Sequence, residues 1–133
     1  MSTDLEQHSQ DVYLVAYTGT SKTLPVMRAP QARVIKKVTL MPLTAITGTT
    51  TNKSALTVYN GGPTGTGTTK IAEKDFVSGV NAAAGDDCDI TLSTTLANTK
   101  LAAGDLVMVA WVEAGSGLDL PESHLQIDYC DGT

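Results

Sequence analysis

Apolar and polar side chains alternate with a period of two along most of this chain, and this alternation constrains its fold more than any other feature. In residues 87–94, for example, Cys88, Ile90 and Leu92 are separated by polar residues. Successive side chains of a β-strand point to opposite faces of a sheet, so such a segment predicts a strand with one buried face. About eight segments qualify as strands: 12–17, 23–28, 33–43, 54–60, 70–77, 87–94, 106–114 and 125–130.

The connectors between these segments are longer than the two-residue turns of tight hairpins. They are rich in Gly, Thr, Asn and Asp, which are turn formers. Long crossing loops between short strands favour a sandwich over a simple meander. We therefore predict an all-β fold, a single jelly-roll or Greek-key β-sandwich of about eight antiparallel strands. Residues 94–103 are the one helical candidate, of a turn or two at most.

The length of 133 residues suits one domain. Residues 1–11 show no apolar pattern and predict an extended N-terminal arm, and residues 12–133 predict the β-sandwich domain. The chain has no run of about 18 apolar residues and no apolar segment near its start, so we expect neither a membrane span nor a secretory signal. Synthesis in a cytoplasm follows, and Cys88 and Cys130 are then expected to be reduced, with a disulfide between them left open.

The charge balance argues against a nucleic-acid partner. Nine basic and fourteen acidic side chains give a net charge of -5. Binding to a phosphate backbone needs several cations on one surface. The basic cluster of the sequence, Arg28, Arg33, Lys36 and Lys37, is interpreted as the solvated face of a strand.

Residues 62–70 (GPTGTGTTK) are similar to a phosphate-binding loop. Gly62 and Gly67 have the required spacing, but Thr68 stands where that loop needs a lysine. A strand is predicted to follow, whereas the loop needs a helix N-terminus. We interpret the segment as a flexible surface loop.

Metal and catalytic sites are not predicted. His8, Cys88, His124 and Cys130 are four potential zinc ligands, but no two have the short spacing typical of a zinc site. Acidic loop residues leave an unspecific calcium site open. No nucleophile is paired with a base in a recognisable motif. The sequence therefore predicts no catalytic residue, no cofactor and no enzyme activity.

The segment 106–114 is apolar on both faces, which is unusual in a small sandwich. Trp111 lies in it and suits either the core or a subunit interface, because Trp is both highly buried and enriched at interfaces. A second apolar face needs a cover, so we predict that this strand contacts a partner subunit. The predicted partner-binding residues are Tyr13, Tyr17, Val107, Val109 and Trp111.

Several segments together resemble one protein family. They are 76–82 (FVSGVNA), 89–93 (DITLS), 101–107 (LAAGDLV) and 115–121 (GSGLDLP), with 28–30 (RAP) leading into the long strand that contains 34–41. Over residues 26–129 the chain resembles the head decoration, or capsid cement, proteins of tailed bacteriophages. The resemblance implies a β-sandwich on the outer surface of the virion head, often a trimer, that binds the major capsid protein and bridges neighbouring subunits. It carries no catalytic residue over to this sequence.

Two other functions are open at this stage. One is a binding module at a phage tail or fibre tip that recognises a host glycan or receptor. The other is a secreted carbohydrate-binding domain, which the missing signal peptide disfavours. One Trp, one Phe and four Tyr make a thin platform for stacking on sugar rings.

Overall fold

Nine strands form the regular structure of the part of the chain that the computed structural model describes, residues 7–18 and 22–132. Those residues contain no α-helix, and hence none that could cross a membrane, and two short 3-10 segments lie at Gly62–Thr64 and Leu96–Thr99. The strands are β1 (His8–Leu14), β2 (Lys22–Arg28), β3 (Arg33–Pro42), β4 (Lys53–Asn60), β5 (Thr69–Asp75), β6 (Cys88–Leu92), β7 (Lys100–Leu101), β8 (Leu106–Ala114) and β9 (Ser123–Asp131).

The strands pair in the order that defines a jelly roll. The order across the sheet is β1-β9-β3-β6-β5-β4-β8-β2, all antiparallel, with the two-residue β7 also beside β3. Counted without β7, the first strand pairs with the last, the second with the next to last, and so on to the β4–β5 pair. β6 pairs with both β3 and β5 and so joins the two layers. The predicted all-β jelly-roll sandwich is confirmed.

The core between the layers is mainly aliphatic, because alternate residues of each long strand point inward. Phe76 and Trp111 supply its aromatic part, with ring centroids 5.8 Å apart. Burying one Phe, Val, Leu or Ile side chain stabilises the fold by about 1.5–3 kcal/mol. The large aliphatic residues that are fully buried are Val38, Leu40, Leu56, Val58, Ile71, Val107, Leu125 and Ile127.

The first strand begins four residues before residue 12, where the alternation places the start of the domain. β1 begins at His8 and pairs with β9 from His8 opposite Tyr129 to Leu14 opposite Ser123. The predicted division between the arm 1–11 and the domain 12–133 therefore falls inside a strand. The first four residues of β1 are polar on both faces, so the sequence shows no alternation there. Residues 1–6 of the arm lie outside the described residues.

Two smaller expectations have different outcomes. The helical candidate 94–103, expected to span a turn or two at most, is one 3-10 turn at Leu96–Thr99, but Lys100 and Leu101 after it pair with β3 as β7. Arg33, expected on a solvated face, is 9% exposed. Its guanidinium lies 3.9 Å from the ring centroid of Tyr129, and its Nε donates to Asp131 Oδ1 at 2.9 Å. An arginine can be buried when its charge is paired in this way.

Cys88 and Cys130 are far apart, so the disulfide left open above does not form in this fold. Cys88 lies opposite Leu40 of β3, and Cys130 lies opposite Val34 on the other side of β3. Six residues along a strand separate the two positions by about 20 Å, whereas disulfide-bonded Cα atoms lie within about 7 Å. Both cysteines are free thiols.

The two thiols are expected to react at different rates. Cys88 is buried, and this burial raises the pKa of its thiol, so less thiolate is present at neutral pH. Cys130 is only half-buried. Under native conditions a thiol-reactive dye should label Cys130 at least about tenfold faster than Cys88. Both should react at similar rates in denaturant, and equal rates in the native protein would contradict the burial of Cys88.

Candidate functional site

The strands at the two ends of the sheet, β1 and β2, contribute to one apolar cleft. They do not pair with each other within the described residues, and the sandwich is open between them. We call this the seam cleft, and its volume is about 90 Å³. Its lining residues are Tyr13, Leu14, Val15, Tyr17, Lys22, Leu24, Val109, Trp111 and Leu120.

The rim of the seam cleft is apolar and open to solvent. Tyr13 is 51% exposed and Val15 is 55% exposed. The chain leaves β1 here and forms one further bridge, in which Tyr17 and Leu120 exchange backbone hydrogen bonds of 2.9 Å in both directions. Exposed large apolar side chains around a hollow are typical of surfaces that bind other proteins.

Two charged groups act on the tyrosines of the rim. Lys22 Nζ lies 4.9 Å from the ring centroid of Tyr17, within the range of a cation–π contact. A hydrogen bond to Glu122 raises the pKa of the Tyr13 phenol. The Tyr13 ring also lies 5.7 Å from the His124 ring. Glu122 thus holds the polar tip of Tyr13, and Lys22 covers the ring of Tyr17, while both rings remain at the cleft.

Four of the five predicted partner-binding residues line the seam cleft, but the exposed face of β8 is not the one expected. Val107, Val109 and Trp111 are 0%, 3% and 3% exposed and point into the core. The opposite face of β8 carries Met108 and Val112, and Val112 is 39% exposed. Both faces are apolar in sequence, so the period-two pattern alone does not tell which one is buried. A role of these residues in partner binding stays a prediction.

Trp111 fixes the loop between β8 and β9. Its Nε1 donates to the carbonyl oxygen of Leu118 at 2.8 Å, and the Leu118 N–H donates to Ser54 Oγ at 2.8 Å. The loop can turn back because Gly115 and Gly117 adopt positive φ values of 67° and 70°, which side chains disfavour. The segment 115–121 of the resemblance therefore connects β4, β8 and β9 through hydrogen bonds. We call such a hydrogen-bonded connection between strands a joint.

A second joint connects two other segments of the resemblance. Arg28 Nη1 donates to the carbonyl oxygen of Gly104 at 2.8 Å, and the N–H groups of Ala29 and Gly104 donate to the carbonyls of Asp105 and Ala29 at 2.9 and 2.7 Å. The Asp105 carboxylate also accepts from Asn60 Nδ2 at 3.0 Å. The turn 101–105 and the segment 28–30 thus position β8 and β2 together.

The glycine–threonine loop is anchored, whereas we expected it to be flexible. Gly61 N–H donates to the carbonyl oxygen of Leu106 at 2.8 Å, and Gly62 N–H donates to Asn60 Oδ1 at 2.9 Å. β5 follows the loop, as predicted, so the helix N-terminus that a phosphate loop requires is not found there.

The potential metal ligands do not converge. His8, Cys88 and His124 lie on β1, β6 and β9. Within residues 7–18 and 22–132, no group of three or more His, Cys, Asp or Glu side chains is placed to hold a metal ion.

The two edge strands differ in how well they are protected, a feature that alternation cannot reveal. β2 contains Pro25 and an irregularity between Pro25 and Met27, and it carries Lys22 and Arg28 at its ends. Proline, bulges and lysine are the devices that protect a sheet edge from adding another strand. β1 has no proline, no lysine and an unbroken register of seven residue pairs with β9. Within residues 7–18 and 22–132, no strand pairs with the outer side of β1, and we call β1 the open edge of the sheet.

Comparison with known proteins adds little. No protein-family model and no curated protein matches the chain. Two solved structures are similar to it, one of the infectious bursal disease virus Gx strain and one of the D431N mutant VP2 protein of that virus in derived T=1 particles. Each aligns over 96% of this chain with a TM-score of 0.41, at 9% and 8% identity. The chain spans about a third of each of those chains, 33% and 32%. At these values the likeness says nothing about function.

Proposed function

We propose that this protein is a structural component of a virion and not an enzyme. It binds the outer surface of a tailed-phage head through the major capsid protein and bridges neighbouring capsid subunits, as a homotrimer made in the host cytoplasm. The observation that carries the proposal is the seam cleft beside the open edge of β1, where exposed Tyr13 and Val15 border an apolar hollow. Exposed apolar groups and an unprotected edge are features of a protein-binding surface.

The joints of the fold support a bridging role. The segments that resemble capsid decoration proteins form the hydrogen-bonded joints at Gly104–Asp105 and at Leu118. These joints hold the edge strand β2 and the loops 101–105 and 115–121 at fixed positions relative to β8. A rigid body with several contact points can bind a repeating lattice tightly, because many weak contacts act together.

A tail or fibre-tip module that binds a host glycan or receptor is the second candidate. Tyr13 and Tyr17 favour it, because aromatic rings can stack on sugars. The seam cleft of about 90 Å³ is, however, well below the roughly 300 Å³ at which small-molecule pockets begin. A hollow of this size suits one aliphatic side chain better than a sugar ring, so we rank capsid binding first.

Co-sedimentation tests the proposal. The purified protein is mixed with expanded empty heads of the phage from the same source, and the pelleted fraction and the melting temperature of the heads are measured. Stoichiometric binding that raises the melting temperature supports the proposal. Absence from the pellet, together with retention on a glycan array, contradicts it and favours the second candidate.

The rim of the seam cleft should matter more for head binding than another exposed apolar site. Val15→Asp places a charge on the rim, and we expect roughly tenfold weaker binding to heads, as for an interface side chain that is buried on binding. Leu96→Asp is the matched control, because Leu96 is 76% exposed and lies on a distant 3-10 segment. Both variants should keep wild-type stability within about 0.5 kcal/mol. Equal binding by wild type and Val15→Asp would exclude the rim from the interface.

A further inference from the structure

The open edge of β1 has a defined chemistry. In an antiparallel pair, alternate residues direct their backbone N–H and C=O groups away from the neighbouring strand. β1 pairs with β9 along all seven residues, so about half of its backbone groups point outward from the sheet. An extended peptide is the ligand that such a row of donors and acceptors binds, because it can add as a further strand.

The charge around β1 selects the kind of peptide. β1 and β9 contain no Lys or Arg, and Asp11 is exposed on the outer face of β1. Across the same face, Asp128 lies opposite Ser9 in the register, and Glu122 lies beside Tyr13. Asp128 is buried and lies opposite Lys37 of β3, which also forms an ion pair of 3.6 Å with Asp89, so Asp11 is the exposed charge on this face of β1. Along β1 an added strand thus meets the exposed carboxylate of Asp11, which favours lysine or arginine there, while Lys22 at the seam cleft favours an uncharged side chain at that end.

A second copy of this chain does not satisfy these conditions. Full antiparallel overlap of two β1 strands, His8–Leu14 against His8–Leu14, places Asp11 opposite Asp11 of the other copy. Like charges directly opposite each other in a sheet destabilise the pair. The net charge of -5 adds repulsion between copies. Because this full-overlap register is disfavoured for a second copy, we take the occupant of β1 to be a different protein, and any contact between copies in the proposed homotrimer to lie elsewhere.

We infer that β1 binds an extended, positively charged segment of a partner protein as an added strand, with an apolar side chain of that segment in the seam cleft. Under the proposed function on which this inference rests, the segment belongs to the capsid protein. The cleft lies at the Leu14 end of β1, so one segment can pair with the strand and fill the hollow. The pairing supplies affinity, while the charges and the cleft supply selectivity.

A peptide probe tests the edge directly. The probe is an acetylated and amidated seven-residue peptide of alternating Lys and Val. Two control peptides replace each Lys by Glu, or each Val by Pro, which keeps the charge but prevents strand pairing. Backbone hydrogen exchange of the full chain is measured by NMR. We expect the Lys–Val peptide to slow exchange at alternate β1 residues by roughly tenfold or more, and the controls to leave β1 unchanged. Protection by the Lys–Pro peptide, or no protection by any peptide, overturns the inference.

A charge reversal separates this inference from the proposed function. Asp11→Lys should lower the affinity for the Lys–Val peptide and the affinity for phage heads by roughly tenfold each. Asp87→Lys makes the same charge change at an exposed loop site and should change neither affinity. If heads bind wild type and Asp11→Lys equally and do not slow hydrogen exchange in β1, the inference is wrong, whereas the proposed function still stands. No head binding with normal peptide binding overturns the proposed function alone. The inference is also wrong if the protein alone sediments as a dimer in which hydrogen exchange of β1 is slowed without any peptide.

Discussion

Replacing Trp111 by Ala is expected to lower the free energy of unfolding by about 3–5 kcal/mol, a large share of the roughly 5–15 kcal/mol of an ordinary domain. The side chain is 3% exposed and packs against Phe76, so truncation leaves a cavity between the layers. It also removes the donor to the Leu118 carbonyl, which holds the loop between β8 and β9. The measurement is urea unfolding followed by far-UV circular dichroism, because Trp111 is the single Trp and its fluorescence is lost in the variant.

A conservative variant separates the two contributions of Trp111. Trp111→Phe keeps most of the ring contact with Phe76 but removes the indole N–H, so the loss should be smaller than for Ala, about 1–3 kcal/mol. Leu96→Ala serves as the control, since Leu96 is 76% exposed and should change stability by less than about 0.5 kcal/mol. A loss below about 1 kcal/mol for Trp111→Ala would contradict the core position, since core Trp→Ala changes are far larger.

Period-two alternation predicts this fold well where one face is apolar and the other is polar. β4, β6 and β9 show the reason: Leu56 and Val58, Cys88 and Ile90, and Leu125 and Ile127 are buried, as the pattern requires. The long connectors predict crossings between layers, and the structure has them. Alternation cannot predict the pairing order, which depends on contacts between residues far apart in the sequence.

The pattern fails in two ways for physical reasons. The beginning of β1 is polar on both faces, so nothing in the residues distinguishes it from an arm, and only its pairing with β9 makes it a strand. β8 is apolar on both faces, so alternation cannot assign Trp111 to the core or the surface. The register of β8 against β4, with Trp111 opposite the buried Leu56, makes that choice.

The candidate site was only partly predictable. The sequence predicts Tyr13, Tyr17, Val109 and Trp111 as partner-binding residues because they are apolar or aromatic residues on strands. They meet in the seam cleft because β1 and the β8–β2 pair, the two ends of the strand order, both line it. Lys22 and Leu24 were missed, because β2 shows no functional pattern. The one available signal is Pro25, because a proline within a strand is typical of an edge position.

Gly48→Ala is expected to lower the free energy of unfolding by about 3 kcal/mol, although it adds only one methyl group. A Cβ atom at Gly48 would overlap the backbone carbonyl oxygens of Val77 and Val80, and backbone cannot move aside as a flexible side chain can. Relief requires the loop after β3 to separate from residues 77–82. That movement strains the paired hydrogen bonds of 2.8 and 2.9 Å between Ile46 and Ala82.

The matched control for this steric effect is Gly79→Ala in the same region. Gly79 has a positive φ of 87° but open space around its Cβ position, so its substitution should cost only the backbone strain of about 1–2 kcal/mol. Chemical denaturation of both variants gives the comparison. A larger loss of stability for Gly79→Ala than for Gly48→Ala would show that backbone conformation costs more than close backbone contact where the loop after β3 meets residues 77–82. We expect the opposite order, in which the close contact of Gly48 with Val77 and Val80 costs more stability than the strained φ at Gly79. The loss at Gly48 also reaches the core, because Phe76 is next to Val77 and packs against Trp111.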